Sequence, residues 1–134
     1  MHILMCNDDG ILADGLRHLA SYLSQYYRIT VVAPANEQSA KSHALTTEIP
    51  LKLDAYNGED ENPRLYALTG TPSDCMKFGL SYLLTDDMPD LVISGINHGF
   101  NLGSDVLYSG TVSAAMESCF YGIPGLALSV ERYS

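Results

Sequence analysis

The sequence has little positive charge and no long hydrophobic run. Lysine and arginine number 7 against 16 acidic residues, which leaves a formal net charge of −9 over 134 residues. This excess of negative charge would repel DNA or RNA, so we expect no nucleic-acid polymer among the partners. No apolar segment approaches the roughly 18 residues of a membrane span, so we also expect no membrane partner.

Cysteine is scarce, and the first residues lack the features of a secretion signal. Cys6, Cys75 and Cys119 are odd in number, widely spaced, and each lies in an apolar stretch. This pattern predicts reduced, buried thiols rather than a disulfide framework or a zinc site. Residues 1–9 have no basic region and reach acidic residues at once, which predicts a cytoplasmic protein.

The remaining composition is that of a globular domain. Apolar residues make up 46% of the chain and charged residues 17%, which permits a packed core and disfavours disorder. The length lies near the common size of one domain, and no low-complexity segment interrupts it. We therefore predict a single domain over residues 1–134.

Strand-like and helix-like patterns alternate along the chain. The predicted elements are strands at 2–6, 28–33, 90–94 and 126–130, helices capped by Asp14 and Thr71 and a third near Val112, and extended runs at 45–53 and 64–68. The last helix is expected to bury Val112, Ala115, Met116 and Cys119. The alternation predicts an α/β fold, with a mostly parallel sheet flanked by helices and an additional β-hairpin.

Polar loops follow three of the predicted parallel strands, at 7–10, 34–44 and 95–105. In open α/β sheets, ligands bind beyond the carboxyl ends of the strands, where the strand order reverses. All three loops are rich in side chains that carry oxygen. The topology rule therefore indicates one shared site.

The first of these loops contains adjacent carboxylates. Asp8 and Asp9 directly follow the first predicted strand, and their mutual repulsion favours a cation beside them. Hard divalent ions such as Mg²⁺ and Mn²⁺ prefer oxygen ligands of this kind. On its own, the pair fits an ordinary strand-ending turn as well as a metal site.

The second and third loops offer neutral oxygen ligands. Ser39 contributes a hydroxyl from the loop 34–44, and Asn97 contributes an amide from the loop 95–105. Taken alone, a capping serine and a flexible turn are the competing explanations. A loop of the length of 34–44 is nevertheless uncommon without a function.

The segment 108–111 precedes the last predicted helix. Free N–H groups at that helix start, with the hydroxyls of Ser109 and Thr111, form a candidate phosphate cradle. A plain N-cap by either hydroxyl is the more common arrangement, and the two roles are compatible. His43 and His98 lie in site loops and are candidates for proton transfer, although exposed loop histidines are more common.

Five motifs occur in one order along nearly the whole chain. They are Asn7-Asp8-Asp9-Gly10, a serine loop at Ser39, Gly70-Thr71-Pro72-Ser73-Asp74-Cys75, Ser94-Gly95-Ile96-Asn97-x-Gly99-x-Asn101, and Tyr108-Ser109-Gly110-Thr111-Val112-x-Ala114-Ala115-x-Glu117. Together they resemble the SurE family, the survival-protein-E type nucleotidases. Any one motif is unspecific, whereas the ordered set is highly specific.

The resemblance implies a Rossmann-like sheet and a metal-dependent 5′(3′)-nucleotidase. Such enzymes hydrolyse nucleoside monophosphates, and some also cleave exposed ends of polyphosphate. The implied ligands of one divalent ion, Mg²⁺ or Mn²⁺, are Asp8, Asp9, Ser39 and Asn97. The implied phosphate contacts are Asn101, Ser109, Gly110 and Thr111. A homo-oligomer, dimer or tetramer, is expected where the C-terminal part of the family domain is present.

The mechanistic hypothesis is metal-assisted hydrolysis. The ion would polarise the phosphoryl group and activate a water molecule. Asp8 or Asp9 would orient or deprotonate that water, and Asp9 is the preferred candidate. The N–H groups near Gly110 and Thr111 would stabilise charge on the phosphoryl oxygens.

Two departures from the family pattern leave alternatives open. The serine loop of relatives often reads Arg-Ser-Gly, where this chain has Gln38-Ser39-Ala40, and Lys41 is a candidate to replace the missing charge. Relatives also continue well beyond the strand that ends near Val130, so part of the usual domain is expected to be absent here. The alternatives are a phosphomonoesterase or exopolyphosphatase with another preferred substrate, and a non-catalytic core that binds metal or nucleotide.

Overall fold

The computed structural model describes residues 1–36, 50–98 and 110–130, with the backbone alone at 97, 98 and 130. The strands are β1 (His2–Cys6), β2 (Arg28–Pro34), β3 (Leu53–Ala55), β4 (Arg64–Leu68), β5 (Leu91–His98) and β6 (Gly125–Val130). The helices are α1 (Asp14–Leu23), α2 (Pro72–Phe78), which continues into a π-helical turn (Gly79–Leu83), and α3 (Gly110–Cys119).

The strands form one sheet in the order β3-β4-β2-β1-β5-β6. All neighbouring pairs are parallel except β3 and β4, which are antiparallel. This confirms the predicted α/β fold with its additional hairpin. The hairpin's first strand is shorter than predicted, because residues 50–52 lie outside it. Pro50 has no N–H to give to a sheet.

The core lies on both faces of the sheet. In β1, Ile3 and Met5 pack with α1, while Leu4 and Cys6 face the side of α2 and α3. All four side chains are at most 2% exposed. A strand buried on both faces has a continuous apolar sequence, and the run HILMC is of that kind.

Strand β1 occupies the position where the strand order reverses. It pairs in parallel with β2 on one side and with β5 on the other. The chain segments that leave β1, β2 and β5 therefore start at the same edge of the sheet. This is the geometry in which α/β folds place their ligands.

Strand β5 extends beyond its predicted end at 94 and includes residues that we predicted to lie in a loop. Its register with β6 changes between Ser94, which pairs with Ala127, and Asn97, which pairs with Ser129. Three steps on β5 thus correspond to two on β6, which is a β-bulge. Gly95 within the bulge has φ +140°, and a Cβ there would meet the carbonyl oxygen of Leu128. Bulges change the direction of a strand and are common beside functional sites.

The helix starts agree only in part with the predictions. In α2, Thr71 and Asp74 form the predicted capping box, with hydrogen bonds of 2.9 and 3.1 Å. Asp14, however, is the first residue of α1 and not its cap. Ala13 holds the cap position without a side-chain hydrogen bond. An acid in the first turn still interacts favourably with the helix dipole.

Helix α3 begins at Gly110, two residues before the predicted start, and buries a different face. Its buried residues are Thr111, Ala114, Ala115 and Ser118. Met116 is 57% exposed and Cys119 is exposed, so their predicted burial was wrong. The buried stripe is offset from the predicted one by about one residue, or roughly 100° of rotation. Only small side chains fit, because α3 lies very close to β6.

The close approach of α3 depends on Gly125. A Cβ at that position would lie 2.5 Å from both the carbonyl oxygen of Ala115 and Oγ of Ser118. Carbon and oxygen atoms do not approach so closely without displacement. The small residues on both elements therefore set the distance between α3 and the sheet.

At the other end of the sheet, where the strands begin, His2 forms hydrogen bonds that link neighbouring segments. Its ring is 4% exposed, with Nε2 at 2.8 Å from Oγ1 of Thr30 and Nδ1 at 3.1 Å from the carbonyl oxygen of Asp87. Nδ1 therefore donates to Asp87 and Nε2 accepts from the Thr30 hydroxyl. Burial, followed by the charge of Arg28, lowers the pKa of His2 below its ordinary 6.5, although nearby acids oppose this shift. His2 is therefore a structural histidine.

The lowered pKa of His2 predicts an acid-sensitive fold. The unfolded chain binds a proton at His2 near pH 6.5, whereas the folded chain resists it, so stability falls as the pH drops below 6.5. Denaturant unfolding at pH 7.5 and 5.5 measures this loss. His2→Gln removes the titration, and we expect a smaller difference between the two pH values for that variant. An equal difference in both proteins would contradict the assignment.

Candidate active site

The turn after β1 is held by Asn7. Its side chain is fully buried, and Nδ2 donates to the carbonyl oxygen of Gly10 at 2.8 Å. Oδ1 accepts from the Gly10 N–H at 3.0 Å. Gly10 has φ +112°, a conformation that glycine adopts without strain. The Asn7 amide is therefore committed to the turn, and the turn presents Asp8 and Asp9.

Asp8 and Asp9 have different environments. Asp8 is 8% exposed, whereas Asp9 is half-buried. The Asp8 carboxylate lies against the first residue of α3, because a Cβ on Gly110 would be 2.5 Å from Oδ1 and 2.8 Å from Cγ of Asp8. The same Cβ would be 2.9 Å from Cγ of Pro72. Glycine is thus the residue that permits this contact.

The contact places a buried carboxylate at the N-terminus of a ten-residue helix. The first N–H groups of a helix have no partner within the helix, and the dipole carries partial positive charge there. Both effects favour the ionised carboxylate, and both favour an anion such as phosphate nearby. Asp8 and the start of α3 therefore form one polar centre at the carboxyl edge of the sheet.

The predicted site residues fall into three groups. Asp8, Asp9, Gly110 and Thr111 lie in the described part of the chain, and Thr111 is fully buried. Asn97 lies on β5, next to β1 in the sheet, with only its backbone described, and the same holds for His98. Ser39, Asn101 and Ser109, together with Gln38, Ala40, Lys41 and His43, lie outside the described residues. The structure thus brings Asp8 and Gly110 together, and the roles of all these residues stay predictions.

The donor set fits a hard divalent ion. Among residues 1–36, 50–98 and 110–130, no group of three or more His, Cys, Asp or Glu side chains is arranged to hold a metal. The predicted set does not require one, because it combines the two carboxylates with the oxygens of Ser39 and Asn97. Mg²⁺ and Mn²⁺ accept such mixed oxygen ligands. The Asp8 carboxylate, which lies against Gly110, is the part of this set whose surroundings the structure shows.

Two thiols lie directly behind the turn. Cys6 and Cys75 are both buried. Sγ of Cys6 lies 3.5 Å from the carbonyl oxygen of Asn7 and 3.9 Å from that of Pro72. Burial, followed by the neighbouring Cys6, raises the pKa of the Cys75 thiol well above its usual value. A protonated, buried thiol is a poor nucleophile.

Asn7 and Ser94 are fully buried polar residues at this edge that were not among the predicted site residues. For Asn7 the available signal was an asparagine three residues before a glycine at a strand end, which is typical of a side-chain-stabilised turn. For Ser94 the signal was a hydroxyl at the end of an otherwise apolar strand.

A cavity in the described part of the chain lies away from this centre. A hollow of about 670 Å³ opens at the amino ends of the strands, where His2, Arg28 and Asp87 line it. It contains none of the predicted site residues, and its Arg28–Asp87 ion pair is exposed to solvent.

No helix in the described ranges has both the length and the apolar character needed to span a membrane.

The chain is similar to known proteins along nearly its whole length. The family model of survival protein SurE matches residues 3–134. A 5′-nucleotidase SurE of Thermoanaerobacter sp. (strain X514) is 54% identical over 129 residues, which are 96% of this chain and 50% of that protein. A 5′-nucleotidase SurE of Vibrio vulnificus (strain YJ016) is 50% identical over 130 residues, or 97% and 49%.

A solved structure has the same fold. The crystal structure of the SurE protein from Aquifex aeolicus superposes with a TM-score of 0.85 at 41% identity. The superposition covers 100% of this chain and 52% of that one. The chain therefore spans about half the length of the relatives that it matches.

Proposed function

Because the chain belongs to the SurE family, we propose that it is a metal-dependent 5′(3′)-nucleotidase that hydrolyses nucleoside monophosphates to nucleoside and phosphate. The observation that carries this proposal is the contact between the Asp8 carboxylate and the N-terminus of α3. A ligand of a cation and a helix start suited to phosphate lie side by side. Metal-assisted hydrolysis of a phosphate monoester would use both.

The proposed division of roles follows from this contact. Asp8, Asp9, Ser39 and Asn97 would hold one Mg²⁺ or Mn²⁺ ion. When bound, the ion supplies Lewis-acid polarisation of the phosphoryl group and offsets its negative charge in a chain of net charge −9. Because Asp8 is buried against Gly110, its proposed role is that of a fixed ligand of the ion.

Asp9 is the proposed general base. Its carboxylate is more exposed than that of Asp8, so it is better able to take the proton of an attacking water. Asn101, Ser109, Gly110 and Thr111 would contact the phosphate, with α3 N–H groups donating to its oxygens. The proposal also includes a cytoplasmic location and, where the C-terminal part of the family domain is present, assembly into a dimer or tetramer.

Phosphate release from a panel of nucleoside monophosphates tests the proposal. The arms are the protein with Mn²⁺, the protein with a chelator, and Asp8→Asn with Mn²⁺. Both the chelator and the substitution are expected to lower the rate at least about 100-fold, because the chelator removes the ion and the substitution removes one of its charged ligands. Asp60→Asn, the same chemical change at an exposed hairpin residue, is the matched control and is expected to keep the rate.

Equal phosphate release in all arms would overturn the proposal. Adding polyphosphate and a simple aryl phosphate to the panel identifies a phosphomonoesterase or exopolyphosphatase with another preferred substrate. Nucleotide binding by calorimetry without any turnover would instead identify a non-catalytic metal- or nucleotide-binding core.

A further inference from the structure

Ser94 carries a buried hydroxyl for which the described residues provide no partner. The residue is 0% exposed, and its Oγ makes no hydrogen bond with any residue in the described part of the chain. A buried hydroxyl that lacks a partner destabilises the fold, and most buried polar atoms in proteins are paired. Such an atom needs an explanation, and functional sites are where such costs are usually retained.

Ser94 lies at the edge of the sheet where Asp8 meets α3. On β5 it pairs with Cys6 of β1, two residues before Asp8. It shares a sheet face with Val92, two residues earlier on β5, and Val92 packs in the same cluster as Ala114 of α3. The Ser94 hydroxyl is therefore on the side of the sheet covered by α3, at the end where that helix begins against Asp8.

A second buried serine shows what a purely structural hydroxyl does here. Ser118 on α3 is also 0% exposed, and its Oγ donates to the carbonyl oxygen of Ala115 at 2.6 Å. The two serines are equally buried and lie on the same side of the sheet. They differ in that Ser118 is satisfied within its own helix and Ser94 is not satisfied by any described residue.

We infer that Ser94 is a positioning residue of the ion site: its hydroxyl holds an internal water that bridges to the Asp8 carboxylate. A carboxylate has about four acceptor positions, so Asp8 can accept this bond in addition to its other contacts. Internal waters typically bind polar atoms that lack protein partners. By fixing Asp8, Ser94 acts on ion affinity rather than on the reacting atoms. The inference rests on the proposed ion site.

Ser94→Ala, compared with Ser118→Ala, tests the inference. Titration of Mn²⁺ in the absence of nucleotide, followed by calorimetry, is expected to show about tenfold weaker binding for Ser94→Ala, as is usual when a hydrogen bond behind a metal ligand is lost. Urea unfolding in the presence of chelator is expected to show a nearly unchanged midpoint, because the hydroxyl has no partner among the described residues and the bond that is removed is the one to the internal water. Ser118→Ala is expected to do the opposite, with a lower midpoint and unchanged Mn²⁺ affinity.

A positioning role weakens Mn²⁺ binding and spares the urea midpoint, whereas a structural role lowers the midpoint and spares Mn²⁺ binding. Unchanged Mn²⁺ affinity in Ser94→Ala would overturn the inference, and so would a midpoint that falls as far as that of Ser118→Ala. If the unsubstituted protein binds Mn²⁺ but releases no phosphate, the nucleotidase proposal fails while the Ser94 comparison is still decided by affinity. If it binds no Mn²⁺ at all, the ion site and the Ser94 inference are both overturned.

Discussion

Replacing Gly110 with alanine is expected to lower metal-dependent phosphate release about 100-fold or more. The added Cβ would lie 2.5 Å from Oδ1 of Asp8 and 2.9 Å from Cγ of Pro72, so the carboxylate or the start of α3 must move. A displacement of about 1 Å in a catalytic centre costs on the order of 100-fold in rate. Mn²⁺ affinity, measured by calorimetry, is expected to fall together with the rate.

The effect of Gly110→Ala on stability makes this prediction specific. Alanine is favoured over glycine in a helix by up to about 1 kcal/mol, so the helix itself gains from the change. We therefore expect the activity to fall far more than the free energy of unfolding. Gly58→Ala is the control, because a Cβ there would have only Cγ of Glu61 near it, at 3.9 Å. Full activity in Gly110→Ala would show that Asp8 does not depend on this contact.

Replacing Asn7 with alanine is expected to weaken both the fold and the site. The change removes two hydrogen bonds, of 2.8 and 3.0 Å, from a fully buried side chain. At about 1 kcal/mol each, together with the buried N–H of Gly10 left without its acceptor, the loss is about 2–4 kcal/mol. Because the same bonds shape the turn that carries Asp8 and Asp9, we also expect Mn²⁺ affinity to fall at least about tenfold.

Asn57 provides a matched control for the Asn7 experiment. Its side chain also stabilises a turn: it donates to the Pro63 carbonyl oxygen at 2.8 Å and accepts from the Leu65 N–H at 2.9 Å, with a longer bond of 3.5 Å from Arg64. That turn lies in the β3–β4 hairpin, away from Asp8. Asn57→Ala is therefore expected to lower the urea midpoint and leave Mn²⁺ affinity unchanged. Equal loss of affinity in both variants would mean that lower stability alone explains the Asn7 result.

Much of the fold could be predicted because its signals are local. The apolar run HILMC is continuous, which is the pattern of a strand buried on both faces, and β1 is such a strand. The sequence Thr-Pro-Ser-Asp at 71–74 contains a complete helix start, and α2 begins there. The alternation of strands and helices required a mostly parallel sheet, and the strand-end rule then placed Asp8 and Asp9 at its carboxyl edge.

The face of α3 could not be predicted from its own residues. Periodicity indicated that Met116 and Cys119 would be buried, since both are apolar, yet both are exposed. Gly125 on β6 determines which face is buried, because α3 lies so close to this glycine that only a face with small side chains fits against it. That constraint comes from a partner element and not from the helix.

The sequence by itself determined the order of elements, the capping of α2 and the presence of two carboxylates after β1, because each depends on residues close together in the chain. The tertiary structure alone decided that Gly110 touches Asp8, that the Asn7 side chain is used in hydrogen bonds within its own turn, and that Ser94 is buried without a partner among the described residues. Gly110 and Asp8 are 102 positions apart, and no local pattern records a contact between them. The contact exists because small residues allow α3 to approach the sheet so closely that its first residue meets the end of β1.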